Sequence, residues 1–86
     1  MKIKCKFFGL PEVQKMVGGK EIEVEIEGHT LGALQQHLTT LYGESIQKAF
    51  ATQILKNGSE WVNIKDDKHT LKDGDHLSFL LMIPGG

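Results

Sequence analysis

Two segments near the start of the chain alternate in polarity with a strict period of two, and this pattern constrains the fold most. The segments are residues 2–8 and 20–27, and their apolar positions are Ile3, Cys5, Phe7, Ile22, Val24 and Ile26. Such alternation is typical of a strand with one buried and one open face. Lysines fill the open positions of the first segment, and glutamates fill those of the second. Opposite charges facing each other favour strand pairing by roughly 0.2–1 kcal/mol per pair, so we expect an antiparallel hairpin.

One helix and three more strands are predicted further along the chain. Residues 9–19 are expected to form a loop closing on Gly18-Gly19, and residues 44–51 a further short helical turn. The main helix should begin after an N-cap at Thr30, run to about Tyr42 and end at Gly43. Its apolar stripe consists of Leu31, Leu34, Leu38 and Leu41. The remaining predicted strands are Ile54 to Lys56, Trp61 to Ile64 and residues 76–83, the first two joined by an Asn57-Gly58 hairpin turn.

The order strand, strand, helix, strand, strand, strand predicts an α+β, ubiquitin-like β-grasp fold. The sheet should be mixed, with four to five strands, and the one main helix should cover one of its faces. The first and last strands are expected to lie adjacent and parallel at the sheet centre. Residues 1–86 then form a single domain, with a flexible tail over residues 84–86.

Charge and composition argue against nucleic-acid and membrane partners. The formal net charge is −1, and all 10 basic residues are lysines. Bidentate recognition of phosphate or guanine relies on the planar guanidinium of arginine, which this chain lacks. No apolar run is long enough to span a bilayer. A single cysteine forms no internal disulfide, so we expect a cytoplasmic protein.

The reactive side chains do not form a catalytic or metal-binding pattern. Cys5 shares the apolar parity of its strand, so we interpret it as a buried, inert thiol. The four histidines lack metal-ligand spacing, so no metal site is expected. Trp61 is interpreted as a packing residue. Phosphate-binding loops and nucleophile elbows are missing too, which indicates a protein that is not itself an enzyme and binds no cofactor.

The last predicted strand carries apolar residues on both faces. Leu77, Phe79 and Leu81 share the core-facing parity. Leu80 and Met82 then point to the open face, and Phe8 has the same outward parity on the first strand. Central pairing of the two strands would gather Phe8, Leu80 and Met82 into an exposed apolar patch, which is typical of a partner-docking surface. The alternatives are a bulge that reverses the parity or cover from residues 9–19.

The sequence closes on Ile83-Pro84-Gly85-Gly86. Pro84 fixes its own φ and favours an extended Ile83. Glycines have no Cβ, so Gly85 and Gly86 could carry a carboxylate through a narrow channel. The alternative is an ordinary frayed terminus.

Several segments together resemble one protein family. They are Phe7-Phe8-Gly9, residues 19–24, residues 30–34, residues 71–79 and the final Gly85-Gly86. In them the chain resembles the MoaD/ThiS family of ubiquitin-like sulfur carriers, and in length and element order it is most similar to the small subunit of molybdopterin synthase. The most specific element is the Asp73-Gly74-Asp75 turn, one strand before the terminal glycines.

The resemblance implies a function and partners. An E1-like adenylyltransferase would use ATP to adenylate Gly86, and the product would become a thiocarboxylate that donates sulfur. Gly85 would keep the tail thin, and a sulfur-accepting synthase large subunit would be the second partner. The acceptor stays open between molybdenum or tungsten cofactor, thiazole, tRNA and an amino acid, with molybdopterin or tungsten cofactor synthesis favoured.

Two other functions fit the same sequence. A ubiquitin-like protein modifier would be joined through Gly86 to lysine side chains. A non-covalent β-grasp interaction subunit would not need its terminal glycines at all.

Overall fold

Strands from the two ends of the described chain lie side by side at the centre of one sheet. The computed structural model describes residues 1–81, and residues 82–86 lie outside it. The elements are β1 (Lys2–Phe8), α1 (Pro11–Val17), β2 (Glu21–Glu25), α2 (Leu31–Tyr42), a 3-10 helix (Glu44–Ala51), β3 (Gln53–Lys56), β4 (Glu60–Val62) and β5 (His76–Leu80). β1 and β5 are parallel, in a register running from Lys4 opposite His76 to Phe8 opposite Leu80.

The five strands form one mixed sheet in the order β2-β1-β5-β3-β4. β2 pairs antiparallel with β1, and β3 pairs antiparallel with both β5 and β4. The predicted β-grasp architecture is therefore confirmed, including the central parallel pair. Within residues 1–81, none of the helices combines the length and apolar character that crossing a membrane requires.

The lysine–glutamate pattern of the first two strands sets their register as predicted. Lys2, Lys4 and Lys6 lie opposite Glu25, Glu23 and Glu21. The Lys4 ammonium also lies 4.0 Å from a carboxylate oxygen of Glu21, the diagonal neighbour. Both side chains are well exposed, and surface ion pairs contribute at most about 1 kcal/mol. The charges therefore favour the register, while the buried face supplies most of the stability.

Aromatic rings fill the core between the sheet and its helical layer. Phe7 of β1 stacks on Phe79 of β5 with ring centroids 5.2 Å apart, and Phe50 of the 3-10 helix packs edge-on against Phe79 at 5.1 Å. Such pairs contribute about 0.5–1.5 kcal/mol beyond the area they bury. The 3-10 helix corresponds to the predicted short helical turn of residues 44–51, and it closes the core at this end.

The main helix begins as predicted, but its buried apolar stripe is shorter than the predicted one. The Thr30 hydroxyl oxygen accepts a hydrogen bond from the Ala33 N–H (3.1 Å), which confirms the N-cap. Leu31, Leu34 and Leu38 are buried, whereas Leu41 is 54% exposed. The expectation for Leu41 was wrong because Tyr42, four residues after Leu38, packs against the core from the last turn instead.

The loop predicted over residues 9–19 contains a helix, α1. Pro11 occupies its first turn, where the missing N–H costs nothing. Gly18 ends it in the left-handed conformation (φ 88°), and the Gly18 N–H donates to the Gln14 carbonyl oxygen at 3.0 Å. Buried Val13 fixes the helix against the core. A seven-residue helix presents too few turns for an apolar period to be recognised, so the prediction of a loop was wrong.

The Asp73-Gly74-Asp75 turn joins three parts of the fold at the start of β5. Asp73 accepts a hydrogen bond from the Lys2 N–H at 2.7 Å. The buried Asp75 accepts bonds from the Asn57 side-chain amide at 3.0 Å and from the Lys72 N–H at 2.8 Å. The turn thereby fastens β1 and the β3–β4 hairpin to the central strand.

Replacing Asp75 with asparagine should destabilise the protein in a pH-dependent way. Burial alone would raise the pKa of the Asp75 carboxyl, but the hydrogen bonds from Asn57 and Lys72 and nearby lysine charges hold the pKa below its usual range. A lowered folded-state pKa gives stability that is present above the unfolded pKa and is lost as pH falls through the folded pKa. Asparagine would also turn an amide N–H toward one of the two donors.

We therefore expect Asp75→Asn to lower the free energy of unfolding by about 1–3 kcal/mol at neutral pH. The deficit should shrink in acid, where the wild-type carboxyl becomes protonated. Urea unfolding of both proteins at neutral and acidic pH measures the difference. An equal deficit at both pH values would contradict the ionised carboxylate as its source.

Cys5 should resist alkylation while the protein is folded. Burial raises the pKa of its thiol from 9.0 to about 12. Since each pKa unit is a factor of ten, the reactive thiolate is about a thousandfold rarer than in an unfolded chain. Iodoacetamide labelling followed by mass spectrometry, with and without urea, compares the two rates. Equal rates would show that Cys5 is accessible and ionised in the folded state.

Candidate functional site

The open face of the sheet carries an apolar surface where β5 ends. Phe8 and Leu80 lie directly opposite each other in the β1–β5 register, and Phe8 is 46% exposed. Leu55 of β3 faces Trp61 of β4 on the same side of the sheet, since their neighbours Ile54 and Val62 point into the core. Trp61 is 57% exposed. We call Phe8, Leu55, Trp61 and Leu80 the open-face patch.

Two of the predicted site residues lie within the described part of the chain. Phe8 and Leu80 share the open face, and the pairing of β1 with β5 is continuous up to them. The alternative of cover from residues 9–19 does not hold, because α1 buries Val13 and lies with the 3-10 helix on the core side. The predicted residues Met82, Pro84, Gly85 and Gly86 lie outside the described residues.

Leu81 does not face the core as its parity predicted. Leu77 and Phe79 are fully buried, but Leu81 is 47% exposed. Its backbone N–H still donates to the Phe8 carbonyl oxygen at 3.1 Å, although β5 ends one residue earlier. The neighbour there is Gly9, and a Cβ on Gly9 would lie 3.3 Å from the Leu81 Cβ. The alternation of buried and exposed side chains thus ends with β5, and Leu81 lies beyond it.

Trp61 was interpreted as a packing residue, but the structure leaves its side chain largely exposed. It lies on the edge strand β4, on the face opposite the buried Val62. β4 has three residues, which is too short for alternation to show the inward face. The loop between β3 and β4 has three residues, since Lys56 pairs with Glu60, whereas the predicted two-residue Asn57-Gly58 turn would have paired Trp61 with the buried Ile54. The patch is therefore wider than the sequence indicated.

Charged side chains border the patch on one side. Lys6 occupies the same face two residues before Phe8, and beyond it lies the row of glutamates on β2. An apolar centre that contains aromatic residues, with a charged rim, is the usual anatomy of a protein-binding surface. The aromatic rings of Phe8 and Trp61 are both exposed, so each could bind a pocket of a partner protein.

Within residues 1–81, the histidine, cysteine, aspartate and glutamate side chains form no group of three or more that could hold a metal ion. The Lys56 ammonium donates to Nε2 of the His69 ring at 2.9 Å and lies 3.4 Å from a carboxylate oxygen of Glu60. This polar cluster fastens the β3–β4 hairpin to the loop that follows it.

Comparison with solved structures confirms the predicted fold and gives neighbours of the kind that the sequence resembles. The putative molybdopterin converting factor subunit 1 of Pyrococcus furiosus has a TM-score of 0.70 and 24% identity, covering 96% of this chain and 99% of that chain. Small archaeal modifier protein 1 of Methanosarcina acetivorans has a TM-score of 0.68 and 20% identity, covering 99% and 96%. A chain from the complex of subunits 1 and 2 of the Helicobacter pylori molybdopterin-converting factor has a TM-score of 0.64 and 22% identity, covering 100% of both chains.

Neither a scan against protein-family models nor a search of curated proteins gives a match. The likeness to these structures shows the ubiquitin-like β-grasp fold, which this chain shares with molybdopterin converting factor subunits and a small archaeal modifier protein.

Substitutions in the open-face patch should leave folding stability almost unchanged. Phe8→Ala and Trp61→Ala remove exposed side chains, and such changes usually shift the free energy of unfolding by no more than about 0.5 kcal/mol. Phe79→Ala, which removes a ring buried between Phe7 and Phe50, should cost about 3–5 kcal/mol. Urea unfolding of the three variants measures the contrast. A loss of several kcal/mol for Trp61→Ala would place its ring in the core and not on the surface.

Proposed function

We propose that this protein is a sulfur carrier that acts through a thiocarboxylate on Gly86. The observation that carries the proposal is the position of the open-face patch. β5 ends at Leu80 within that patch, six residues before Gly86, in a fold shared over 96% of the chain with a putative molybdopterin converting factor subunit. The surface that binds a partner and the Gly86 carboxylate that reacts would thus lie next to each other.

The chemistry needs little from the carrier itself. An oxygen of the Gly86 carboxylate attacks the α-phosphorus of ATP, and pyrophosphate leaves. Hydrosulfide then attacks the acyl carbon and displaces AMP, which leaves a thiocarboxylate whose sulfur stays at the oxidation level of sulfide. The partners supply the catalytic groups, so the carrier has to present its terminus and to bind.

The reach of the chain connects binding to catalysis. Residues 82–86 follow Leu81, and five residues span at most about 17 Å when fully extended. A partner that acts on Gly86 therefore has to lie within that distance of Leu81, close enough to cover Phe8, Leu80 and Trp61. We propose that Met82 extends this contact, that Pro84 stiffens the exit and that Gly85 lets the segment enter a narrow site.

Two partners are proposed. The first is an E1-like adenylyltransferase that binds ATP, and the second is the large subunit of a sulfur-accepting synthase. The complex of subunits 1 and 2 among the neighbours supports the second partner. We propose molybdopterin or tungsten cofactor synthesis as the pathway, supported by the molybdopterin converting factor subunits among the neighbours.

Intact-mass spectrometry tests the proposed thiocarboxylate. The protein, incubated with ATP, an activating enzyme and a sulfur source, should gain the mass difference between sulfur and oxygen, and fragmentation should place it on Gly86. A variant that lacks Gly85 and Gly86 is the matched control and should stay unmodified while unfolding like the wild type. No mass gain, with an activating enzyme that works on its own carrier, would contradict the proposal.

The same assay tests whether the open-face patch binds the activating enzyme. Trp61→Ala should raise the KM for the carrier by about tenfold, because a buried aromatic anchor is often a binding hot spot. Lys65→Ala, an exposed residue outside the patch, should leave the KM unchanged. Equal kinetics for the two variants would remove Trp61 from the interface.

Protein modification through Gly86 is the second candidate function. It is favoured by the fold shared with a small archaeal modifier protein. Isopeptide-linked Gly-Gly remnants of this chain on cellular lysines would support it, and the same activated Gly86 could serve both functions. A non-covalent interaction subunit would instead keep its function when Gly85 and Gly86 are deleted.

A further inference from the structure

β2 is an edge strand, and one of its sides carries backbone groups that face away from the sheet. It stands at the end of the strand order, beside β1 alone. Met1 and Ile26 exchange backbone hydrogen bonds in both directions, so the positions of β2 that bond to β1 are the even-numbered ones. In an antiparallel pair, the bonded positions alternate with positions whose N–H and C=O groups point outward. The outward positions of β2 are Glu21, Glu23 and Glu25.

The side chains at these outward positions are acidic and lie on the open face of the sheet. All three are exposed, and the lysines of β1 lie on their inner side. Among residues 1–81, an ion pair of 4.0 Å joins Glu21 to Lys4. The carboxylates of Glu23 and Glu25 have no lysine ammonium within that distance in the same part of the chain. They are therefore available to a basic side chain of a partner.

The charge of this edge disfavours a second copy of the chain as its occupant. Two β2 strands paired antiparallel through their outward positions would set glutamates opposite glutamates, and like charges directly opposite each other destabilise a sheet. Charged side chains on an edge strand commonly prevent such self-pairing. Lysine or arginine at the matching positions of another strand would instead give each glutamate a cross-strand partner of opposite charge.

On the face that carries the helices, the edge ends at a cleft. The cleft has a volume of about 810 Å³ and lies between the end of β2 and α2. Ile26 and Ala33 are among its apolar residues, and His37 and Thr40 are among its polar ones. α2 contains no lysine, arginine, aspartate or glutamate in its 12 residues. Because successive side chains of a strand point to opposite faces, uncharged residues fit this side of an added strand.

We propose that β2 binds an extended segment of another protein that carries lysine or arginine at alternate positions and uncharged residues between them. The outward backbone groups of Glu21, Glu23 and Glu25 would bond to the added strand, and their carboxylates would select its basic residues. The row spans about 14 Å, so a segment of five or six residues covers it. β2 and the strand that carries Trp61 are at opposite edges of the sheet, and the contact requires no reaction at Gly86.

Hydrogen-exchange NMR of the full-length protein tests the backbone contact, with a seven-residue peptide that alternates lysine and valine as the probe. When about nine-tenths of the protein is bound, amide exchange at Glu21, Glu23 and Glu25 should slow about tenfold, since their N–H groups then exchange only in the free protein. The amides of Ile22 and Val24 already bond to β1 and should change little. Unchanged exchange at the glutamates, or equal slowing at all five positions, would overturn the proposal. So would slowing that needs no peptide and increases with protein concentration, since a second copy would then occupy the edge.

Titration calorimetry tests the choice of a basic partner. Glu23→Gln should raise the Kd of the lysine–valine peptide roughly 1.4- to fivefold, the factor expected for one cross-strand pair of opposite charge. Glu44→Gln changes an exposed glutamate of the 3-10 helix and is the matched control, which should leave the Kd unchanged. A peptide with glutamate in place of each lysine should bind more weakly than the lysine–valine peptide. Equal Kd values for the two peptides, or for the two variants, would overturn the selection of basic residues by β2.

Discussion

The parallel pairing of β1 with β5 is the interaction on which the rest of this structure depends. It joins strands from opposite ends of the described chain and stacks Phe7 on Phe79 in the middle of the core. β2 adds to one side of this pair, and β3 with β4 adds to the other. The Asp73-Gly74-Asp75 turn fixes where β5 begins, through bonds to Lys2 and Asn57. One long-range contact thus sets the register of the sheet, and with it the residues that meet on each face.

Most of the fold could be predicted because long elements repeat a period. Alternating lysines and glutamates indicated the β1–β2 register, and the leucine stripe after Thr30 indicated α2. α1 was missed because seven residues display less than two turns of an apolar pattern, while Pro11 and Gly18 suggest a loop equally well. Its formation depends on tertiary packing of Val13, which a single sequence does not display.

The candidate site was predictable in part for the same reason. Phe8 and Leu80 lie in strands long enough to show parity, so their shared open face followed from the central pairing. Trp61 was missed because β4 has three residues, and its orientation is inherited from the pairing of Leu55 with Trp61. Leu81 shows the complementary limit: parity predicts burial only as far as the strand runs, and β5 ends at Leu80.

The end of β5 brings the apolar surface and the chain terminus together. Leu80 belongs to the open-face patch, and Leu81, one residue later, lines a cavity with Trp61 of β4. A partner that contacts Phe8, Leu80 and Trp61 would therefore meet Leu81 as well. Under the proposed function such a partner also lies within reach of Gly86, because the five residues after Leu81 span at most about 17 Å. The central pairing of β1 with β5 thus determines both where a partner would bind and how far it would lie from the reacting carboxylate.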